Sequence, residues 1–217
     1  MPEIETPLNP ETTALLVVDV QNDFVHPTGR GGRGGTNMVD LIAAAAEINR
    51  LVEAARATSA TVVYVRTEHG PDVDTAPYQA RYARRGMAPD DTLCHRGTWG
   101  AELFTDLTPP VAGELVLVKH GYDAFQQTHL ADALRARGVT TVIVTGVVAN
   151  LCVRATAYSA FEQGFFVLVP RQTTAAVKPE DKARALDDIA AYYGEIVDAG
   201  DLIRAWQGAP LSSPTER

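Results

Sequence analysis

The chain has 217 residues, 46% hydrophobic and 21% charged, enough for one domain with a full core. A formal net charge of −8 with no basic run argues against a nucleic-acid or anionic-membrane partner and leaves small molecules as the expected ligands. No apolar stretch approaches bilayer-spanning length, the N-terminus has no basic-then-apolar leader, and two cysteines allow at most one bridge, so a cytoplasmic protein without a disulfide framework is expected.

Apolar runs bounded by turn residues predict a strand from Thr13 to Val20, a helix from Met38 to Thr58 and a strand from Thr61 to Arg66. A long polar loop rich in Gly, Pro, Asp and Arg runs to about Thr98, and a short helix is expected over Trp99 to Leu107. Next come a strand from Leu115 to Lys119 and a helix from Thr128 to Arg137, stopped by Gly138. The strand Thr140 to Gly146 precedes a helix from Leu151 to Gln163, and Phe165 to Val169 forms another strand. A helix starts after Pro179 and runs to about Tyr193, followed by a short strand at Glu195 to Val197 and a terminal helix at Asp201 to Trp206. Alternating strands and helices predict a single α/β domain over residues 1–217, with flexible tails at 1–10 and 208–217.

Three residues carry chemistry at the ends of strands. Cys152 opens a helix after a buried strand, where orphan N–H groups and the helix dipole favour a thiolate, the nucleophilic form. Asp19 ends the first strand and Lys119 ends the run Leu115 to Val118. Right-handed crossovers in a parallel sheet place the carboxyl ends of all strands on one edge, so the three meet in the crevice where such sheets bind ligands. Taken singly, each has a plainer role: a small buried hydrophobe, a turn or cap residue, a solvated charge.

Other features point less clearly to a site. Gly29 to Gly34 matches G-x-G-x-x-G, with Glu68 as a mimic of the ribose-binding acid, but Gln21 to Thr28 separate it from the strand, so a flexible loop at the pocket mouth is expected instead. His69, Asp72, His95 and His120 lack ligand spacing, so no metal is expected, and His120 reads as a structural hydrogen-bonding residue. Cys94 and His95 are adjacent, face apart and have no helix end to activate the thiol.

The segments Leu15-Leu16-Val17-Val18-Asp19-Val20-Gln21-Asn22-Asp23-Phe24, Val118-Lys119-His120-Gly121-Tyr122-Asp123-Ala124-Phe125 and Gly146-Val147-Val148-Ala149-Asn150-Leu151-Cys152-Val153-Arg154-Ala155-Thr156-Ala157 resemble, in order, the isochorismatase-like cysteine hydrolase superfamily. The resemblance implies a three-layer α/β/α, Rossmann-like or flavodoxin-like fold with a parallel sheet. It implies a catalytic triad of Asp19, Lys119 and Cys152, a non-proline cis peptide between Val147 and Val148, and an oxyanion hole from the N–H groups of Val148 and Cys152. Asp19 would take the thiol proton, Lys119 would stabilise the charges, and the sulfur would attack an amide carbonyl.

Within the superfamily, isochorismatases proper cleave a vinyl ether and commonly lack the cysteine. Nicotinamidases carry an Asp-Trp-His type metal segment where this chain has Arg66-Thr67-Glu68-His69-Gly70-Pro71, and an Asp where it has Asn150. Arg96-Gly97-Thr98-Trp99-Gly100-Ala101-Glu102-Leu103 and Asn150-Leu151-Cys152-Val153 look more like the metal-free branch of N-carbamoylsarcosine, ureidoacrylate and biuret amidohydrolases, although the arginine often preceding the tyrosine there is Gly121 here. The expectation is therefore a cofactor-free cysteine amidohydrolase that cleaves a small amide, ureido or carbamoyl C–N bond through a thioester. Nicotinamidase, vinyl ether hydrolase and idle binding module stand as alternatives. Substrate contacts are expected from Gln21, Phe24, Trp99, Tyr122 and Asn150, with Phe24 and Trp99 as aromatic walls or, alternatively, packing residues. A homodimer or homotetramer is expected.

Overall fold

The chain was analysed as a computed structural model, which describes residues 8–36, 38–88 and 91–208. The strands are β1 (Thr13–Val18), β2 (Thr61–Thr67), β3 (Leu115–Lys119), β4 (Thr141–Val147), β5 (Phe166–Pro170), β6 (Thr174–Ala175) and β7 (Glu195–Val197). The helices are α1 (Asn22–Val25), α2 (Arg30–Arg33), α3 (Val39–Arg56), α4 (Ala76–Ala83), α5 (Leu130–Arg135), α6 (Arg154–Glu162), α7 (Pro179–Tyr192) and α8 (Ala199–Trp206). The sheet runs β3-β2-β1-β4-β5-β7, with β6 pairing to β4, and every pairing is parallel.

Because both faces of this sheet are covered, its central strands are apolar throughout rather than alternating. Leu15, Val17, Val62, Tyr64, Ile143 and Leu168 pack on one face against α3 and α8. Leu16, Val18, Val63, Val65, Val142 and Val144 pack on the other against α5, α6 and α7. This is the three-layer Rossmann-type arrangement. Among the described residues no helix is long and apolar enough to cross a membrane.

Several elements differ from expectation, each for a visible reason. α4 lies inside the stretch expected to be loop, with Pro77 in its first turn. The segment after Trp99 makes only a 3-10 turn, Trp99–Ala101. Its backbone is used elsewhere: Glu102 O accepts from Asn22 N–H at 3.0 Å and Phe104 N–H donates to Val20 O at 2.8 Å. The glycine cluster forms the tight helical turn α2 rather than a flexible loop. A Cβ at Gly29 would fall 2.0 Å from Asn22 O and one at Gly32 2.1 Å from Pro27 O, so the glycines serve close packing. Of the two tails, residues 1–7 and 209–217 lie outside the described residues, while Asn9 caps a 3-10 turn at Pro10–Thr12 by accepting from Glu11 N–H at 3.1 Å.

Candidate active site

β1 and β4 are neighbours, and Gly146 lets their ends touch. It has φ +124°, and a Cβ there would lie 1.9 Å from Val18 O, so no other residue fits. Directly after β1 the backbone of Asp19 turns left-handed, φ 56°, an arrangement that costs about 1–3 kcal/mol and concentrates at functional sites. Asp19 N–H is held by Val65 O at 2.8 Å, which fixes the side chain at the strand edge.

Lys119, the last residue of β3, reaches past β2 to that edge. Its Nζ donates to Asp19 Oδ2 at 2.6 Å and to Gly121 O at 2.7 Å, and both side chains are fully buried. Asp19 Oδ1 is also buried but has no hydrogen-bond partner. The third member, Cys152, lies in the π-helical turn Ala149–Val153 that feeds α6, beside this pair, with its thiol acting on both charges. The turn follows a non-proline cis peptide between Val147 and Val148.

Protonation departs from the expected thiolate. Burial pushes the Cys152 thiol up, the Asp19 charge pushes it further, and Lys119 only partly opposes them, so the resting sulfur keeps its proton. The helix end is outweighed by desolvation. Asp19 is raised as well, by burial, against the pull of Lys119 and Cys152. For Lys119 burial alone would lower the ammonium, but the Asp19 charge and Cys152 outweigh it and the net direction is upward.

The other expected contact residues are distributed unevenly. Gln21 donates to Thr67 O at 2.8 Å and Ala101 O at 2.7 Å and accepts from Thr67 N–H at 2.8 Å, so its amide braces β2 against the 3-10 turn instead of facing substrate. Phe24 is partly buried against the α3 side of the core, and Trp99, 44% exposed, packs edge-to-face on His26 at 5.0 Å. Tyr122 and Asn150 line a groove of about 440 Å³ with Leu151, Arg154 and Tyr158.

Sequence inspection missed the aromatic cluster supplied by α4. Tyr78 stacks on the His69 ring at 5.2 Å and leans on Tyr122 at 5.5 Å, and Tyr82 meets His69 edge-on at 5.9 Å. The signal was Pro77 followed by aromatics at i and i+4, a short helix start with one aromatic face. His69 is buried with Nδ1 2.6 Å from Asp74 Oδ1, and burial lowers its pKa despite that carboxylate. Asp72 pairs with Arg96 at 2.5 Å, and His120 Nδ1 lies 2.8 Å from Glu68 O. Among the described residues no group of three His, Cys, Asp or Glu side chains is placed to hold a metal.

A parallel Rossmann-type sheet that gathers a buried aspartate, a buried lysine and a cysteine at one edge matches the isochorismatase domain, which spans residues 13–201. The chain belongs to the isochorismatase family and is a hydrolase. It is 33% identical over 218 residues to the ureidoacrylate amidohydrolase RutB of Methylobacterium radiotolerans, covering 95% of this chain and 84% of the relative. A cysteine hydrolase from Pseudomonas syringae pv. phaseolicola 1448A superposes with TM-score 0.83 at 28% identity, over 97% of this chain and 99% of that one. N-carbamoylsarcosine amidase from Thermoplasma acidophilum superposes with TM-score 0.70 at 28% identity, over 87% and 96%.

Proposed function

We propose that the chain is a cysteine amidohydrolase that cleaves the C–N bond of a small ureido or carbamoyl compound through a thioester. The observation that supports this most is the Lys119–Asp19 pair, fully buried at 2.6 Å at the end of β1, with the Cys152 turn following the end of the neighbouring strand β4. Asp19, its carboxyl raised by burial, is a stronger base than an exposed carboxylate.

Asp19 takes the thiol proton as the sulfur bonds to the substrate carbonyl carbon, and the carbonyl electron pair moves onto oxygen. The N–H groups of Val148 and Cys152 are assigned to that oxyanion. The intermediate collapses, the C–N bond breaks, and Asp19 returns the proton to the departing nitrogen. Asp19 then deprotonates water, which attacks the thioester carbon and releases the acid and the thiol. Lys119 balances the carboxylate and the transient negative charge throughout.

The names of the relatives, an amidohydrolase of ureidoacrylate and an amidase of N-carbamoylsarcosine, favour ureido and carbamoyl substrates over other amides. The test is ammonia release across 3-ureidoacrylate, N-carbamoylsarcosine, biuret and nicotinamide, with mass spectrometry of acid-quenched enzyme. An acyl adduct on Cys152 during turnover of a ureido or carbamoyl compound is expected. Turnover restricted to nicotinamide, or turnover undiminished in Cys152→Ala, defeats the proposal.

A further inference from the structure

Four buried side-chain polar atoms lack hydrogen-bond partners among the described residues, and two of them, Asp19 Oδ1 and Tyr78 Oη, belong to the cleft. An unpaired buried polar atom is costly, and a bound ligand is one way to satisfy it. Tyr78 leans on Tyr122, which lines a groove with Asn150 and Leu151, the residue before Cys152, and Lys119, bonded to Asp19 Oδ2, also donates to the carbonyl of Gly121, the residue before Tyr122. The approach of Tyr78 to Tyr122 brings the rings to 5.5 Å without giving Tyr78 Oη a bond of full geometry. Stacking on His69, itself fixed by Asp74, holds the Tyr78 ring in place. Burial pushes the phenol up, so it stays neutral across the working pH range.

Both orphan atoms are oxygens that accept hydrogen bonds, and the Gly121–Tyr122 segment, bonded to Lys119 on one side and packed on Tyr78 on the other, lies between their residues. A ureido group, –NH–CO–NH₂, presents N–H donors on both sides of the carbon that the sulfur attacks, whereas an alkyl amide presents them on one side only. We infer that Tyr78 is a substrate-positioning residue whose hydroxyl oxygen accepts the inner ureido N–H while Asp19 Oδ1 accepts the terminal NH₂, so that the pair selects ureido compounds over alkyl amides. The phenol hydrogen then turns toward Tyr122. This rests on the amidohydrolase proposal for the chemistry, but the recognition step is separable from it.

The experiment uses pairs of probes that differ only by N–H against CH₂: N-carbamoylglycine against succinamate, and N-ethylurea against butyramide. Tyr78→Phe keeps the ring that stacks on His69, and a matched melting curve checks its fold. The expected result is a loss of about tenfold in kcat/KM for the ureido member of a pair and less than about twofold for its methylene analogue, the scale of one neutral hydrogen bond. Calorimetric titration of Cys152→Ala is expected to show the same preference in binding and the double variant Cys152→Ala/Tyr78→Phe to lose it. Equal losses for both members, or binding of neither ureido probe to Cys152→Ala, overturns the assignment. Preferential binding without ammonia release by the unmodified enzyme leaves the recognition role standing and counts against the amidase chemistry instead.

Discussion

Cys94 and Cys152 are alike in most respects. Both are buried free thiols, both are pushed up by burial, and each has an aspartate in its surroundings. The difference lies in how that aspartate is used. Asp23, beside Cys94, accepts from Arg30 N–H at 2.9 Å and from Cys94 N–H at 2.8 Å, so both of its oxygens hold loop backbone. Asp19 gives one oxygen to Lys119 and keeps the other free. The Lys119 charge opposes the rise of both thiols, and in each it is outweighed by burial. On the proposed mechanism the nucleophile is the thiol at the strand end beside the Asp19–Lys119 pair, and neither burial nor a nearby carboxylate suffices to make one.

The sharpest way to break this contrast is to exchange the fates of the two thiols. Cys152→Ala should abolish turnover with the melting temperature nearly unchanged, while Cys94→Ala should keep turnover and lose roughly 0.5–3 kcal/mol of stability. Loss of activity in Cys94→Ala at full fold would show that the second thiol takes part. Next in size, Asp19→Asn removes the proton acceptor and should lower kcat by about 10²–10⁴-fold, measured as ammonia release. If the asparagine variant keeps near-normal kcat, another base serves Cys152.

Lys119→Ala leaves Asp19 buried without a partner. It should destabilise the fold by roughly 3–5 kcal/mol in denaturant titration and slow alkylation of Cys152 by iodoacetamide, with Cys94 unmodified in both proteins. Equal alkylation rates would mean that the lysine does not tune the thiol. The smallest effect is at His69, whose pKa burial holds below its ordinary 6.5. The unfolded chain binds this proton more readily than the folded one, so the contribution of His69 to stability is full above pH 6.5 and is lost as pH falls toward the depressed value. Melting temperature should therefore drop between pH 7 and 5, and less steeply in His69→Gln. Parallel curves would remove His69 from the acid response.

The proposed triad could be picked out in sequence because Asp19 and Lys119 stand at the ends of apolar strands and Cys152 opens the turn after another, and a parallel sheet brings the ends of its strands to one edge. The aromatic helix α4 could not. Tyr78 sits among Gly, Pro, Asp and Arg residues that look like loop, and an eight-residue helix gives too few turns for a convincing period. The protonation of Cys152 was likewise out of reach, since a helix start is visible in sequence but the depth of burial that outweighs it is a property of the packed core. Gln21 shows the same limit: its place in the motif is plain, but the three backbone groups that occupy its amide lie 46 and 80 residues away.

Keeping the nucleophile protonated at rest has a consequence for the lifetime of the enzyme. Peroxide and other oxidants attack thiolates far faster than thiols, and oxidation past the sulfenic stage is rarely reversed. With Cys152 only 6% exposed and its thiol pushed up by burial, the sulfur would meet an oxidant in its less reactive form. On the proposed mechanism, holding the proton until an amide arrives would also shelter the enzyme between turnovers.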